Sequence, residues 1–441
     1  MHYIRLKEIF IGILAGILFY LSFSKWNLYL LIFPSLILGI RPNPYRFFSF
    51  GFVSLFLSLF WIRISLIDYG GINPFLGYFA VLLLVLFLTI YQFGITYIIW
   101  KTTGFNYFLF PFIYTSVEVL RSLFPYGGFP WLILGINLVD IPVLRYSINA
   151  GTVYMGSLVV ITLSLFPFLK RKHKIYTLAF LTPIILYGVL KERENLSKNF
   201  NLKIALVQTA IPEEVKLRTE LFWKKYPLIV DQVKTAFEQK PDLIILPESS
   251  VPFYLSELKD QGKKLIEISK KVPILLGIIE VEFAEKVKPY NSVILLKDGK
   301  VVEKYRKIIL VPFGEYTPQP FKFFSQLIPY LGLHDYSRGK EIKCFKVKNV
   351  NIGTPICFEI AYLNLVRKFK CDILAVLTND AWFRDSDGNY QHMKWARVRA
   401  IENEKPIIWV NNIGPSAIIN QKGEILRRTE YGKPSLLFYT F

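Results

Sequence analysis

The chain has 441 residues, of which 53% are hydrophobic, 16% aromatic and only 20% charged, with a mean hydropathy of +0.36. That composition excludes a disordered chain and a disulfide-dense secreted scaffold, and it is too apolar for a wholly soluble protein, which averages about 25% charged residues. The net charge of +20 raises nucleic acid as a partner. No zinc-ligand spacing or basic-aromatic cluster of an RNA-binding sheet accompanies it, so no nucleic acid is expected and the surplus is assigned to faces against anionic membrane.

The length allows two or three domains, and the charge divides them. Residues 1–200 hold 16 Lys+Arg and 6 Asp+Glu, leaving 37 and 27 of the chain's 53 and 33 for the rest. Within the sparse half, apolar runs cover Ile9–Phe23, Leu28–Ile40, Phe47–Leu66, Phe75–Trp100, Tyr107–Val119, Val153–Phe168 and Tyr176–Leu190. Several reach the roughly 20 residues that cross a hydrocarbon core, and seven spans are expected in a membrane domain over residues 1–194. With the N-terminus inside, the inner segments carry Arg5, Lys7, Arg41, Arg46, Lys101, Lys170, Arg171, Lys172 and Lys174, against Lys25, Arg63, Arg121 and Arg145 outside. The positive-inside rule then favours an inner N-terminus and, after an odd number of spans, puts everything beyond about Lys191 on the far side. Between the fifth and sixth runs, Glu118 and Arg121 stand at i and i+3 and are expected to pair. The Gly127-Gly128-Phe129-Pro130-Trp131 turn that follows reads as structural, with substrate contact as the alternative.

After the charged linker 191–198, residues 195–441 read as an α/β domain. Strands are expected at Leu202–Val207, Asp242–Leu246, Ile274–Ile279, Ser292–Leu296, Val301–Tyr305, Asn351–Ile356, Ile373–Leu377, Ile407–Val410 and Ser416–Ile419. Helical composition covers Glu213–Gln239, with a break near Pro227, then Leu258–Lys271, Glu359–Phe369 and Gln391–Asn403. Lys297-Asp298-Gly299-Lys300 is a hairpin turn.

Chemistry has few places to sit. The cysteines at 344, 357 and 371 form no Cys-x-x-Cys, and the four histidines lack ligand spacing, so neither metal nor cofactor is expected. No Gly-x-Ser-x-Gly elbow or phosphate-cradling loop occurs. Cys357 ends an apolar strand and opens a helix, where backbone N–H groups favour a thiolate and can hold an oxyanion. Glu248 ends another strand in Leu-Pro-Glu-Ser, a place for a general base. Lys307 precedes Ile-Ile-Leu-Val-Pro-Phe-Gly-Glu315 and can aim a fixed positive charge at a carbonyl. Taken singly, each is more often a packing residue or a solvated charge.

Together, Pro247-Glu248-Ser249, Lys307 before Val311-Pro-Phe-Gly-Glu315, and Cys357-Phe358-Glu359 resemble the Glu-Lys-Cys triad of the nitrilase superfamily, which uses an αββα sandwich. With the membrane half added, the chain resembles that superfamily's membrane-embedded branch, the bacterial apolipoprotein N-acyltransferases. Glu118/Arg121 with Gly127–Trp131, Asn379–Phe383, and His392 with Arg397–Glu402 belong to the same resemblance. It departs in three places: Leu217 follows Lys216 where a Trp is usual, Phe358 stands where Tyr is frequent, and the last segment, Leu436–Phe441, is too short for a final membrane helix.

The resemblance implies a Cys357 nucleophile, a Glu248 general base and Lys307 as oxyanion stabiliser, with Glu315 and Glu359 in support. It implies a phospholipid acyl donor, an apolipoprotein diacylglyceryl-cysteine acceptor, a thioester intermediate and a catalytic domain on the periplasmic side of the inner membrane, in a monomer. The aromatic segment after Lys307, with Phe321 and Phe324, together with Trp223 and Trp382, offers lipid contacts. The rivals are a membrane-tethered nitrilase-type amidase, in which water takes the acyl group, and a non-enzymatic scaffold with a relic domain.

Overall fold

The computed structural model describes residues 2–196, 198–283, 287–319, 322 and 335–441. The chain divides into two compact units: Met1–Ile67 with Asn73–Asn195 and Ser386–Glu402, and Asp68–Ile72 with Leu196–Asp385 and Asn403–Phe441.

The first unit is helical, and all seven apolar runs fall on helices. Helices Tyr3–Phe23, Pro74–Thr102 and Arg171–Arg193 are long and apolar enough to cross a membrane, and Pro44–Leu59 with Ile62–Tyr69 passes as one span bent by 47°. Tyr29–Gly39, Phe110–Arg121 and Val153–Phe168 are shorter. Two of these helices open the same way: Asn43 accepts from the Arg46 N–H ahead of Pro44, and Asn73 accepts from the Phe75 N–H ahead of Pro74. An Asn cap followed by Pro at the first helical position satisfies a free donor where proline has none to lose. The first helix packs tightly on Pro44–Leu59 because it carries Gly12 and Gly16: a Cβ at Gly12 would lie 2.0 Å from Ser49 Oγ, and one at Gly16 would lie 2.7 Å from Val53 Cβ. Such small-residue spacing is how helices associate where lipid removes the hydrophobic drive.

Glu118 and Arg121, both buried, do not pair directly. Glu118 Oε1 accepts from the Leu134 N–H at 2.9 Å, while Arg121 donates to Gln92 Oε1 at 3.1 Å and to the carbonyls of Phe129 and Trp131. Arg121 fastens the Gly127–Trp131 turn, and Glu118 holds the chain just after it. Gly128, at φ +82°, is required there, because a Cβ would lie 2.1 Å from the Ser122 carbonyl carbon. Helix Asp387–Asn403 also falls almost wholly in this unit. Its Gln391 accepts from the indoles of Trp61 and Trp131, Lys394 and Arg397 hold Asp140, and Glu402 caps helix Val153–Leu165 by accepting the Val153 N–H at 2.7 Å.

Among its described residues the second unit holds twelve strands: β1 (Lys203–Gln208), β2 (Leu243–Ile245), β3 (Ile274–Phe283), β4 (Val287–Lys297), β5 (Lys300–Arg306), β6 (Cys344–Val347), β7 (Val350–Gly353), β8 (Ile373–Thr378), β9 (Ile407–Asn411), β10 (Ala417–Ile419), β11 (Ile425–Arg428) and β12 (Ser435–Thr440). They form two six-stranded sheets, ordered β12-β1-β2-β3-β4-β5 and β11-β10-β9-β8-β7-β6. Each has a parallel centre, β1-β2-β3 in one and β7-β8-β9 in the other, flanked by antiparallel strands. Both are mixed sheets of an αββα sandwich. The central strands are apolar on both faces, as parallel strands covered on two sides must be. Ile229, Val233 and Ala236 of helix Thr219–Glu238 close one core over Ala205, Ile244 and Leu276. The Asp298-Gly299 hairpin forms as expected, with both residues at positive φ.

Three strands, β6, β11 and β12, add to the expected set. The helix through Pro227 is unbroken from Thr219 to Glu238, and the break falls before it, at Leu217–Arg218. The helix expected over Glu359–Phe369 is instead a 3₁₀ turn, Cys357–Ala361, and one short helix, Leu363–Val366.

Candidate active site

Ligands of open α/β sheets bind beyond the carboxyl ends of parallel strands, and there the chemistry-bearing residues gather. Glu248 follows β2, Cys357 follows β7, Asn379 and Asp380 follow β8, and Lys307 follows β5. Glu248 is brought close to its neighbour strand by Gly277 of β3, where a Cβ would lie 2.3 Å from the Pro247 carbonyl oxygen. Residues Thr354–Ile356 carry the chain onward from β7, with Ile356 bridged to Leu377 of the neighbouring strand. Cys357 then turns at φ +52°. That is costly backbone for a side chain with a Cβ, and such strain concentrates at functional sites.

Lys307 is almost fully buried between two carboxylates. Its Nζ lies 2.8 Å from Glu315 Oε1 and 3.4 Å from Glu248 Oε1. Burial works against its charge, yet Glu315 and then Glu248, with Cys357 beyond them, hold it well above the ordinary lysine range, so it is a permanent cation. Asn291 of β4 joins the same cluster, donating through Nδ2 to Glu248 Oε1 at 2.6 Å and to Glu315 Oε1 at 3.0 Å. Glu315 also accepts from the Val311 N–H at 2.8 Å. Burial, with Glu248 adding and Lys307 opposing, drives the Cys357 thiol well above its usual value. Burial and Glu248 both favour the protonated thiol over the thiolate.

Glu359 acts at a distance from the charges. One carboxylate oxygen accepts from the Ile308 and Ile309 N–H groups at 2.6 and 2.9 Å, the other from the Ile356 N–H at 2.8 Å, and the Tyr305 hydroxyl reaches both. It ties the segment after Lys307 to the turn that presents Cys357. Burial pushes it up to about 7 against these donors. Glu359→Gln is expected to destabilise the protein by about 1–3 kcal/mol, because one amide hydrogen must face a backbone N–H. A carboxyl raised on folding adds stability below its unfolded pKa, near 4.5, and loses it as pH rises through about 7. Urea titrations of both proteins between pH 4.5 and 8.5 check this: the variant's deficit should shrink toward the alkaline end.

Asn291 and Glu213 escaped the sequence reading, which named Lys216 only for the Leu217 beside it. Asn291 is a lone amide in an apolar strand, and its only signal is polarity where the pattern asks for an apolar residue. Lys216 donates from Nζ to the Glu248 carbonyl at 3.3 Å, and Asn379 donates to the buried Glu213 at 2.8 Å. Burial lowers the lysine's affinity for its proton and raises that of Glu213. Of the suggested lipid contacts, Trp223 is half-buried and packs on Phe253 and Tyr226, and Trp382 is half-buried edge-on to Tyr69. Phe321 and Phe324 lie outside the described residues. Cys344 and Cys371 form a disulfide, which leaves Cys357 as the free cysteine.

Two mixed sheets in an αββα sandwich, with Glu, Lys and Cys at strand ends, define a nitrilase-type catalytic domain, joined here to apolar membrane helices. The carbon-nitrogen hydrolase family model matches residues 203–440, and that of the apolipoprotein N-acyltransferase N-terminal domain matches 15–166. An apolipoprotein N-acyltransferase of Aquifex aeolicus is 61% identical over 437 residues, 99% of each chain. That of Pasteurella multocida is 28% identical, covering 97% of this chain and 89% of its own. A Nesterenkonia amidase of the nitrilase superfamily is similar over 56% of this chain and 92% of its own, at 18% identity and TM-score 0.41. The chain belongs to the apolipoprotein N-acyltransferase family, a family of membrane acyltransferases of lipoprotein maturation.

Proposed function

We propose that this chain moves an acyl group from a membrane phospholipid to the α-amine of a diacylglyceryl N-terminal cysteine, by way of a Cys357 thioester. The observation that carries the reading is the buried Glu248–Lys307–Glu315 cluster, with Glu248 and Lys307 in electrostatic reach of Cys357. Glu248 takes the thiol proton as sulfur attacks the ester carbonyl. The tetrahedral oxyanion forms against the Lys307 ammonium, which Glu315 holds in place while Asn291 bridges Glu315 to Glu248. The C–O bond breaks, the lysophospholipid oxygen takes the proton from Glu248, and the thioester remains. The lipopeptide amine then attacks that carbonyl and gives its proton to Glu248. The C–S bond breaks and the thiolate recovers the proton. Two easier displacements replace one direct aminolysis of an ester.

Full-length protein incubated with phospholipid and a synthetic diacyl lipopeptide should add the mass of one acyl group to the peptide. Release of free fatty acid with the peptide mass unchanged would mean that water is the acceptor, and the transferase reading would fall.

Seven spans over residues 1–194, with a periplasmic catalytic domain over 195–441, complete the reading. It is supported by the loop-charge bias toward an inner N-terminus and by the Cys344–Cys371 disulfide, since such bonds persist in oxidising compartments. A reporter that needs export should be active when fused after Phe441. Activity there of a reporter confined to the cytoplasm would overturn the orientation.

A further inference from the structure

The first unit carries a second lipid-shaped feature that the acyl-transfer chemistry does not use. Helices Phe110–Arg121, Val153–Leu165 and Arg171–Arg193 enclose an apolar crevice. Phe108, Phe112, Thr162, Leu165, Tyr176 and Phe180 line it. Rings and methyl groups make up nearly all of its wall. It runs along the opening turns of the last of these helices. On that helix its wall runs from Tyr176 to Phe180, four residues or about 6 Å at 1.5 Å per residue.

Its mouth is cationic. Lys170, Arg171, Lys172 and Lys174 stand in succession where the last helix begins, and Arg41 lies beside them, its guanidinium carbon 3.9 Å above the Phe168 ring. Lys174 Nζ lies 5.5 Å over Phe166, and His173 stacks on the lining residue Phe108 at 4.7 Å. Among the described residues, none of these five cations has a carboxylate in an ion pair. Elsewhere in the same unit Arg46 holds Glu8, Arg145 holds Glu192, and Lys394 and Arg397 hold Asp140. A cluster left without counter-charge beside an apolar crevice asks for one ligand with an anionic head and an apolar tail.

We infer that this crevice binds an anionic phospholipid, with the headgroup phosphate against Arg41 and Lys170–Lys174 and one acyl chain along Phe108, Thr162 and Phe180. The apolar wall favours a lipid over a soluble phosphate, which would use only the rim. The lipid is distinct from the acyl donor: its cations lie on the side expected to be cytoplasmic, opposite to that proposed for the thioester. The inference rests on the crevice and its rim, and it stands whatever acceptor the active site uses.

The test is native mass spectrometry of delipidated full-length protein with phosphatidylglycerol or phosphatidylcholine of identical chains. Phosphatidylglycerol should be retained at least about tenfold more than phosphatidylcholine, and inorganic phosphate in excess should not displace it. K170Q/R171Q/K172Q/K174Q should abolish the preference, whereas K224Q/K225Q/K263Q/K264Q, which removes four exposed cations from the other unit, should keep it. Because loop cations also orient membrane insertion, Thr177→Trp is the second variant. It fills the crevice from a buried position on its wall and leaves every cation in place, and it should lose the retained lipid. Equal retention of the two lipids, displacement by phosphate, or full binding by Thr177→Trp protein would overturn the inference.

Discussion

Cys357→Ser protein incubated with phospholipid should show no acyl adduct in its intact mass, and its transfer rate should fall by at least about 10³-fold, the scale of losing a covalent nucleophile. Serine fits the site: the side chains are close in size, and the turn at φ +52° is the same for both. What changes is the proton. Even the thiol is held well above its usual value by burial and by Glu248, and a hydroxyl there would be harder still to ionise. An oxygen ester, if it formed, would also be a poorer acyl donor to an amine. Wild-type protein should carry one acyl mass that hydroxylamine removes. An adduct of the same mass on Cys357→Ser protein would place the intermediate on another residue.

How much of this was legible in the sequence follows from where each residue sits. Glu248 and Cys357 stand out because each ends an apolar strand, and Lys307 because it stands beside the apolar run Ile308–Val311; strand ends at the carboxyl edge of a parallel sheet are where side chains meet. The edge strands were hidden for the opposite reason. In β11 only Ile425 is even partly buried, β6 lies in a charged run, and β12 stands at the chain's end. Only β11 has the pattern of a solvated loop; β6 and β12 are short, and pairing makes them strands, as when β12 pairs with β1 from Lys203↔Thr440 to Gln208↔Ser435.

Pro227 misled for a local reason. Proline removes one helical N–H, but Ile229, Val230, Val233 and Ala236 on the same helix are buried in the core, and that packing outweighs the loss. Glu118 and Arg121 misled for a tertiary one. Spacing says that two charges can meet, but the Gly127–Trp131 turn offers Arg121 its carbonyls and Leu134 beyond it offers Glu118 an N–H, which no helical spacing encodes. Asn291 belongs to the same class: its partners, Glu248 and Glu315, come from remote segments.

Lys307→Met should cut the rate of Cys357 acylation by at least about 10²-fold, the order seen when one oxyanion donor is removed. Methionine matches the lysine stem in length and can occupy the buried site, so the loss should fall on chemistry more than on folding. Removing the ammonium does more than expose the oxyanion. Glu248 and Glu315 are bridged by Asn291 and share Lys307 as their cation. Without it, two carboxylates share one pocket, and like charges so close cannot both stay ionised. Residual acylation should therefore need a higher pH, with the acid limb of the pH–rate profile displaced upward. Lys307→Arg should not restore the rate, since a planar guanidinium does not fit a buried site built for a compact ammonium. Single-turnover acylation, followed by intact mass across pH for wild-type, Lys307→Met and Lys307→Arg proteins, separates these effects. An unshifted profile at near-normal rate in Lys307→Met protein would mean that the lysine only fills space between two carboxylates and that the oxyanion is held elsewhere.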